Sequence, residues 1–252
     1  YTSGQSIYDE QREISRMLKL PPEKVHCHSM LVGGGFGGKE DMSVQHHAAL
    51  CAYLTHRPVK VRLTRQESIN VHPKRHPMDI DLTVGCDENG KLVAMKETII
   101  ANTGAYASLG GPVLQRACTH AAGPYNYHNI DILGKAIYTN NVPAGAFRGF
   151  GVTQSCFAIE CAINLLADQV GLDYWQFRML NAIKPGDELP NGQMTGPDVG
   201  IRECLMAVKD AYYKNGRTGI GCAMKNSGLG VGVPDWGRCI LSVEQGKIHV
   251  RT

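Results

Sequence analysis

The stretches Gly33-Gly34-Gly35-Phe36-Gly37-Gly38-Lys39-Glu40 and Ala144-Gly145-Ala146-Phe147-Arg148-Gly149-Phe150-Gly151 decide the reading of this 252-residue chain. Glycine at such density lets bare backbone close on a ligand and adopt positive φ at little steric cost. The first stretch follows a strand-like run, Val25 to Val32, and precedes a helical pattern from about Met42 to Thr55. That order predicts amides at a helix N-terminus, where anions are favoured. The second follows the strand-like run Ile130 to Tyr138 and precedes a long helical pattern, Thr153 to Val170, stopped by Gly171. Two such units predict amides converging from two sides on one ligand, which suits a buried cofactor better than a mobile nucleotide.

Two nucleotide readings of the first turn fit poorly. Gly33 to Lys39 satisfies GxxxxGK, but the position that should offer a Ser or Thr hydroxyl to magnesium is Glu40, whose charge would repel a triphosphate. Gly33, Gly35 and Gly38 also satisfy GxGxxG, yet the segment Leu54 to Lys60, where a ribose-binding acid belongs, contains none. Taken alone, the motif is also compatible with a plain tight turn joining strand to helix.

The pair of turns, about a hundred residues apart, resembles the molybdenum-cofactor subunit of the xanthine dehydrogenase and aldehyde oxidase family of molybdenum hydroxylases. The resemblance spans essentially the whole chain and implies an α+β fold of mixed sheets with packed helices. It implies a molybdenum-molybdopterin cofactor, in its cytosine dinucleotide form in part of the family, contacted by Gln5, Gly35, Phe36, Gly37, Ala146, Phe147 and Arg148. Of these, Gln5, Phe36 and Arg148 would lie near the metal's ligands without ligating it directly. Glu40 and Arg116 resemble the pair that grips a purine, and Phe150 the ring on which the substrate lies. Gln5, Glu40 and Arg116 are thus the candidate catalytic residues. The implied reaction is oxidative hydroxylation of an electron-poor carbon, in which water supplies the oxygen and a hydride passes to a sulfido or selenido ligand of the metal. The family's activating carboxylate would fall beyond Thr252, so Glu40 is assigned to the substrate. Related aldehyde oxidases typically lack this glutamate, which favours a purine or similar N-heterocycle over an aldehyde. One departure is Val233, where the family places a second stacking phenylalanine; Trp236 stands nearby, and the surrounding sequence is suggestive of the selenium-dependent purine hydroxylases. Iron-sulfur clusters and FAD are implied on other domains or subunits, within an oligomer.

Composition bounds the alternatives. With 43% hydrophobic and 19% charged residues the chain is that of a globular protein, and no apolar run approaches the roughly 20 residues that cross a bilayer. A net charge of +3 is too small to imply a nucleic-acid partner. Nine cysteines without a CxxC pair argue against a disulfide framework and for a reducing, cytoplasmic setting. Cys156 and Cys161 lie about 140° apart on a helix, too far for one cluster, and most of the thiols read as core fillers. The pairs His26/His28 and His72/His76 lack the further ligands that zinc needs, and Lys74-Arg75 between the second pair reads as a solvated turn.

The remaining pattern places a helix around Ile7 to Leu18 ended by Pro21-Pro22, a strand at Val59 to Leu63, and a hairpin of Ile80–Val84 and Leu92–Ile100 around Asp87-Glu88-Asn89-Gly90. Asp173 and Gln176 form a capping-box-like helix start, Ile201 to Tyr212 an amphipathic helix, and Ile240 to Val250 a hairpin. Residues 1–215 are expected to form a first cofactor-binding domain and residues 216–252 the start of a second, both within a fragment of a larger subunit. The fragment by itself is expected to be inactive. The rival from another class, an inert folding or assembly module, is separated by whether a further cofactor turn and a late glutamate follow Thr252.

Overall fold

The computed structural model describes residues 1–214, 216, 218–226, 237 and 239–251. Val233, Trp236 and the boundary at residue 215 lie outside them. The hairpin read around Asp87–Gly90 is present as β1 (Met78–Cys86) and β2 (Leu92–Gly104), antiparallel. Asp87 Oδ1 closes its turn by accepting from the amides of Asn89 and Lys91, 2.9 and 2.8 Å. The third strand, β3 (Asn129–Tyr138), runs parallel to β2, so the sheet is mixed with order β1-β2-β3. A parallel neighbour requires a crossover, and the connection is helix α4 (Gly110–Thr119).

Alternation along β2 fixes which face is covered. Met95, Glu97, Ile99, Ala101 and Thr103 are buried, while Lys96 is exposed and Thr98, Ile100 and Asn102 are half-buried. Ile99 and Ala101 pack against Leu114 and Ala117 of α4. Leu92 and Met95 pack with Ile159, Ile163, Leu166 and Ala167 of helix α5 (Val152–Val170) and with Trp175 and Phe177 of α6 (Tyr174–Asn181). Helices over one face of a mixed sheet give the α+β layer expected. Arg178, fully buried, pairs with Glu160 at 2.7 Å and also donates to Asn164 at 2.9 Å, satisfying the only buried ion pair among the described residues. Glu160 also accepts from the amide of Cys222 at 2.8 Å, which ties residues 219–226 to α5, and Ile220 and Cys222 join the same core.

Short-range signals account for the other helices. α1 (Ile7–Leu18) ends with Lys19 in the left-handed region, ahead of Pro21-Pro22. The Asp173 carboxylate caps α6 from its N-cap position, accepting from the amides of Trp175 and Gln176. α7 (Ile201–Lys214) buries Leu205, and Ile240–Glu244 and Lys247–Arg251 pair as β4 and β5.

Three sequence readings differ from the structure. Val59 to Leu63 is not a strand; it finds no ladder partner among the described residues, and the element beyond it is α3 (Arg65–Val71), started by a full capping box of Thr64 and Glu67 whose T-x-x-E spacing is legible in the sequence. Among the described residues the run Val25 to Val32 makes only one bridge, Ser29 with Thr2. α2 spans Gln45–Thr55, seven residues beyond Gly38, so the first glycine turn is not a helix N-terminus. The reading of most thiols as core fillers does not hold: Cys222 alone among the nine is buried, its thiol pushed up to about 11, chiefly by burial, whereas Cys51, Cys161, Cys204 and Cys239 are exposed.

Glu97 is 1% exposed with no hydrogen-bond partner on either carboxylate oxygen among the described residues, and burial raises its carboxyl from 4.5 to about 7. A raised acid pKa means that the folded state holds the proton more tightly, so stability is full below about pH 4.5 and falls as pH rises through 7. Glu97→Gln is therefore expected to match the parent at pH 4 and exceed it by on the order of 3 kcal/mol at pH 8. Urea denaturation at both values checks this; an equal difference at the two would show that the carboxyl does not ionise in that window.

Candidate cofactor site

The two glycine turns meet. Arg148 N donates to Phe36 O at 2.9 Å, and a Cβ on Gly37 would lie 2.8–2.9 Å from the carbonyl carbon and oxygen of Ala146 and from Phe147 N. No side chain fits between backbones that close. Gly37 has φ +88°, Gly149 +90° and Gly151 +95°, and two phenylalanines share the left-handed region, Phe36 at +55° and Phe150 at +49°. Positive φ in aromatic residues costs free energy and persists because the surrounding structure holds the backbone there. The result is unusual exposure: Phe36 is 65% and Phe147 44% accessible, with Arg148 exposed between them.

Gln5 organises the first turn. Its Oε1 accepts from the amides of Gly37 and Lys39, 3.0 and 3.1 Å, and its Nε2 donates to Glu40 Oε1 at 3.4 Å. Its backbone amide donates to Lys39 O at 2.9 Å, and Gly35 lies under its side chain, where a Cβ would come within 2.2 Å of Oε1. The amides assigned by sequence to a helix N-terminus are thus employed by a glutamine about thirty residues upstream. Gly4 seats Gln5 by packing on the buried carboxylate of Glu10, which accepts from Gln45 Nε2 at 2.9 Å.

The second turn does lead into a helix. Gly151 precedes α5 without a side-chain cap, and the amides of Phe36, Ala146, Phe147, Gly149 and Gly151 donate no hydrogen bond within the described residues. An uncapped helix start beside unused amides suits an anion. Gly151 also carries α4, since a Cβ there would lie 2.2 Å from Val113 O and 3.0 Å from Ala117 N. Arg116 sits in that turn of α4. Among the described residues its Nη1 is buried with no hydrogen-bond partner, and none of their four ion pairs includes it, so no ion pair among them accounts for this guanidinium.

Glu40 is exposed, and its carboxyl is raised above the usual range by partial desolvation and by the neighbouring charge of Asp41. Asp41 turns away, accepting from Ser108 Oγ at 2.6 Å just ahead of α4. The elements bearing Glu40 and Arg116 therefore both abut the AFRGFG turn, although no hydrogen bond or ion pair joins the two side chains among the described residues. Phe150, half-buried, stands on that turn and donates its amide to Phe147 O at 2.7 Å. No group of three or more His, Cys, Asp or Glu among the described residues is arranged to hold a metal ion. His26 and His28 are exposed, whereas His76 is buried, with neither ring nitrogen partnered among the described residues and its pKa lowered by desolvation.

Unused amides, exposed rings and guanidinium groups that have no carboxylate partner among the described residues thus line the meeting of the two turns, a surface whose chemistry suits an anionic ligand. Residues 1–182 match the family described as the molybdopterin cofactor-binding domain. The chain belongs to the xanthine dehydrogenase and aldehyde oxidase family of molybdenum hydroxylases, of which it carries that domain. It is 39% identical over 260 aligned positions to a probable xanthine dehydrogenase subunit of Bacillus subtilis, covering 98% of this chain and 35% of that protein. It is 42% identical over 208 positions to the nicotinate dehydrogenase large molybdopterin subunit of Eubacterium barkeri, covering 82% and 49%. The aldehyde oxidoreductase of Desulfovibrio gigas superposes with a TM-score of 0.80 at 30% identity over 84% of this chain and 23% of that one. The chain therefore spans between a third and a half of the length of these sequence relatives.

Proposed function

We propose that the chain forms one wall of the molybdenum site in a hydroxylase acting on a purine such as xanthine or hypoxanthine, with Glu40 and Arg116 gripping opposite edges of the ring. The observation that carries this is the pair itself: a carboxyl raised by its surroundings and a buried guanidinium nitrogen with no partner among the described residues, on elements that meet at one turn. A purine offers ring N–H donors and carbonyl acceptors, so Glu40 accepts or donates at one edge and the Arg116 guanidinium donates at the other. Negative charge developing in the ring is stabilised by that cation. Phe150 supplies an aromatic surface for the ring. Gln5 fixes Glu40 relative to the first turn, and Phe36, Gly37, Ala146, Phe147 and Arg148 would hold the cofactor by backbone and by charge. The bound molybdenum cofactor supplies the two-electron oxidation.

Charge-assisted contacts of this kind are worth about 1.5–3 kcal/mol each, or roughly ten- to a hundredfold in turnover. In the intact enzyme, Glu40→Val is expected to lose purine kcat/KM by that factor while aldehyde turnover stays within about threefold. Steady-state kinetics on hypoxanthine and an aromatic aldehyde, with molybdenum content measured in parallel, checks it; equal losses on both substrates would sink the assignment.

A second reading has its own support. The nicotinate dehydrogenase relative and the Arg116 cation both suit an N-heterocyclic carboxylate, and nicotinate belongs in the same kinetic panel; an aldehyde is the third candidate. The intact protein is further proposed to work with iron-sulfur and flavin domains or subunits in an oligomer, and in a reducing compartment, in keeping with nine free cysteines. Residues 1–215 and 216–252 are proposed as a first cofactor domain and the opening of a second.

A further inference from the structure

Arg75 lies in the segment that the sequence presents as a solvated turn, and the structure sets it against the AFRGFG turn instead. Residues 73–76 run parallel to residues 143–145: Lys74 N donates to Pro143 O at 3.0 Å and Gly145 N donates to Lys74 O at 2.9 Å, with Ala144 buried between. This bridge aims the Arg75 guanidinium at three points. Nη2 donates to Arg148 O at 2.7 Å, Nη1 donates to Thr153 Oγ1 at 2.6 Å in the first turn of α5, and the guanidinium carbon lies 4.3 Å from the centroid of the Phe147 ring. A planar fork that bonds two acceptors while stacking on a ring is a task for arginine that lysine cannot reproduce.

None of these contacts neutralises the charge. The acceptors are a carbonyl and a hydroxyl, and no carboxylate pairs with Arg75 or with Arg148 among the described residues. Arg148 reaches in turn over the Phe36 ring, 5.8 Å from its centroid. Two guanidinium groups with no ion-pair partner among the described residues, Arg148 within the turn and Arg75 packed on it, therefore meet at one short turn, beside unused amides and an uncapped helix start. Such an arrangement is costly by itself and is relieved by an anion.

We propose that Arg75 is a positioning residue of the cofactor site: it sets the carbonyl of Arg148 and the ring of Phe147, and its unpaired charge makes the turn receptive to an anionic, phosphate-bearing cofactor. This rests on the reading that the two turns hold molybdopterin.

The test uses the intact enzyme with its partners, purified as the parent, Arg75→Met and Arg75→Lys. Circular dichroism establishes folding, and pterin and molybdenum per subunit are measured after oxidation to the fluorescent pterin. Loss of two hydrogen bonds from a charged donor, of whose free energy the cofactor feels only the share that seats the turn, predicts about a tenfold fall in pterin content for Arg75→Met. Arg75→Lys, which keeps the charge and is expected to keep the fold, should fall about threefold, by the same reasoning for one retained contact. In the loaded fraction of Arg75→Lys, the Mo(V) electron paramagnetic resonance signal should differ in g-values from the parent, because the turn has been reseated. Parent-like pterin in folded Arg75→Met, or a parent-like Mo(V) signal together with full loading in Arg75→Lys, would overturn the role given to Arg75 alone. If Arg75→Met fails to fold, the Arg75→Lys loading and signal decide the matter. A parent enzyme that carries no pterin would instead defeat the reading of the turns, and this inference with it.

Discussion

Gly37→Val in the intact subunit is expected to abolish cofactor retention, leaving less than about a tenth of the parent's molybdenum and pterin. The reason is the meeting of two backbones. A Cβ at residue 37 would stand 2.8 Å from the carbonyl carbon of Ala146 and 2.9 Å from its oxygen and from Phe147 N, none of which is the end of a flexible side chain that could swing away. The backbone angle of +88° adds strain that a β-branched residue tolerates worst. Overpacking and left-handed strain together cost roughly 3–5 kcal/mol, and the structure can avoid that cost by parting the turns. Parting them breaks the bond from Arg148 N to Phe36 O that joins the two turns, and so opens the receiving surface along its seam. Gly33→Ala is the matched control, since a Cβ there meets nothing within 4 Å. Metal analysis and pterin fluorescence on the two variants give the comparison; full loading of Gly37→Val would refute the convergence of the turns on one ligand.

The second large effect is expected from Gly151→Ala, which acts through α4. The added carbon would lie 2.2 Å from Val113 O and 3.0 Å from Ala117 N, at a φ of +95°, so helix and turn must separate by about 1 Å to restore ordinary contact. Roughly 3–5 kcal/mol of stability is at stake, by the same addition of steric and conformational terms. Because Arg116 occupies that turn of α4, the displacement should raise KM for the substrate by at least about tenfold in whatever fraction folds, with a smaller change in kcat. Gly111→Ala, on the same helix with nothing within 4 Å of the new carbon, should leave both stability and KM near the parent's. Urea denaturation and steady-state kinetics on the pair separate the outcomes; an unchanged KM in Gly151→Ala would detach Arg116 from the substrate.

Much of the local structure was legible because its causes lie within a few residues. Asp87 through Gly90 closes the β1–β2 turn, Gly171 stops α5, and Asp173 caps α6 with bonds to amides two and three positions on. Alternation around the turn located β1 and β2, and the amphipathic spacing of Ile201, Leu205, Val208 and Tyr212 located α7. Where the reading failed, a segment's pairing depended on distant partners. Val59 to Leu63 has the composition of a strand and no neighbour to pair with among the described residues, and Val25 to Val32 has a neighbour at Thr2 alone. α3 went unread although Thr64 and Glu67 spell its start.

The candidate site divides along the same line. Glycine density in two turns and the lack of a magnesium hydroxyl after Lys39 were enough to point to a buried ligand other than a nucleotide, and the resemblance to a known family supplied the roles expected of Gln5, Glu40, Arg116, Arg148 and Phe150. What each group does with its bonds emerged from packing. That the amides of Gly37 and Lys39 serve Gln5, that Gly37 is glycine because Ala146 lies against it, that Arg75 grips the turn rather than facing water, and that Glu97 is buried without a partner among the described residues are facts about atoms brought together from tens of residues apart. Such contacts leave no period and no local motif, since they are fixed by how the β1-β2-β3 sheet, α4 and α5 pack rather than by the dihedral preferences of any one stretch of chain.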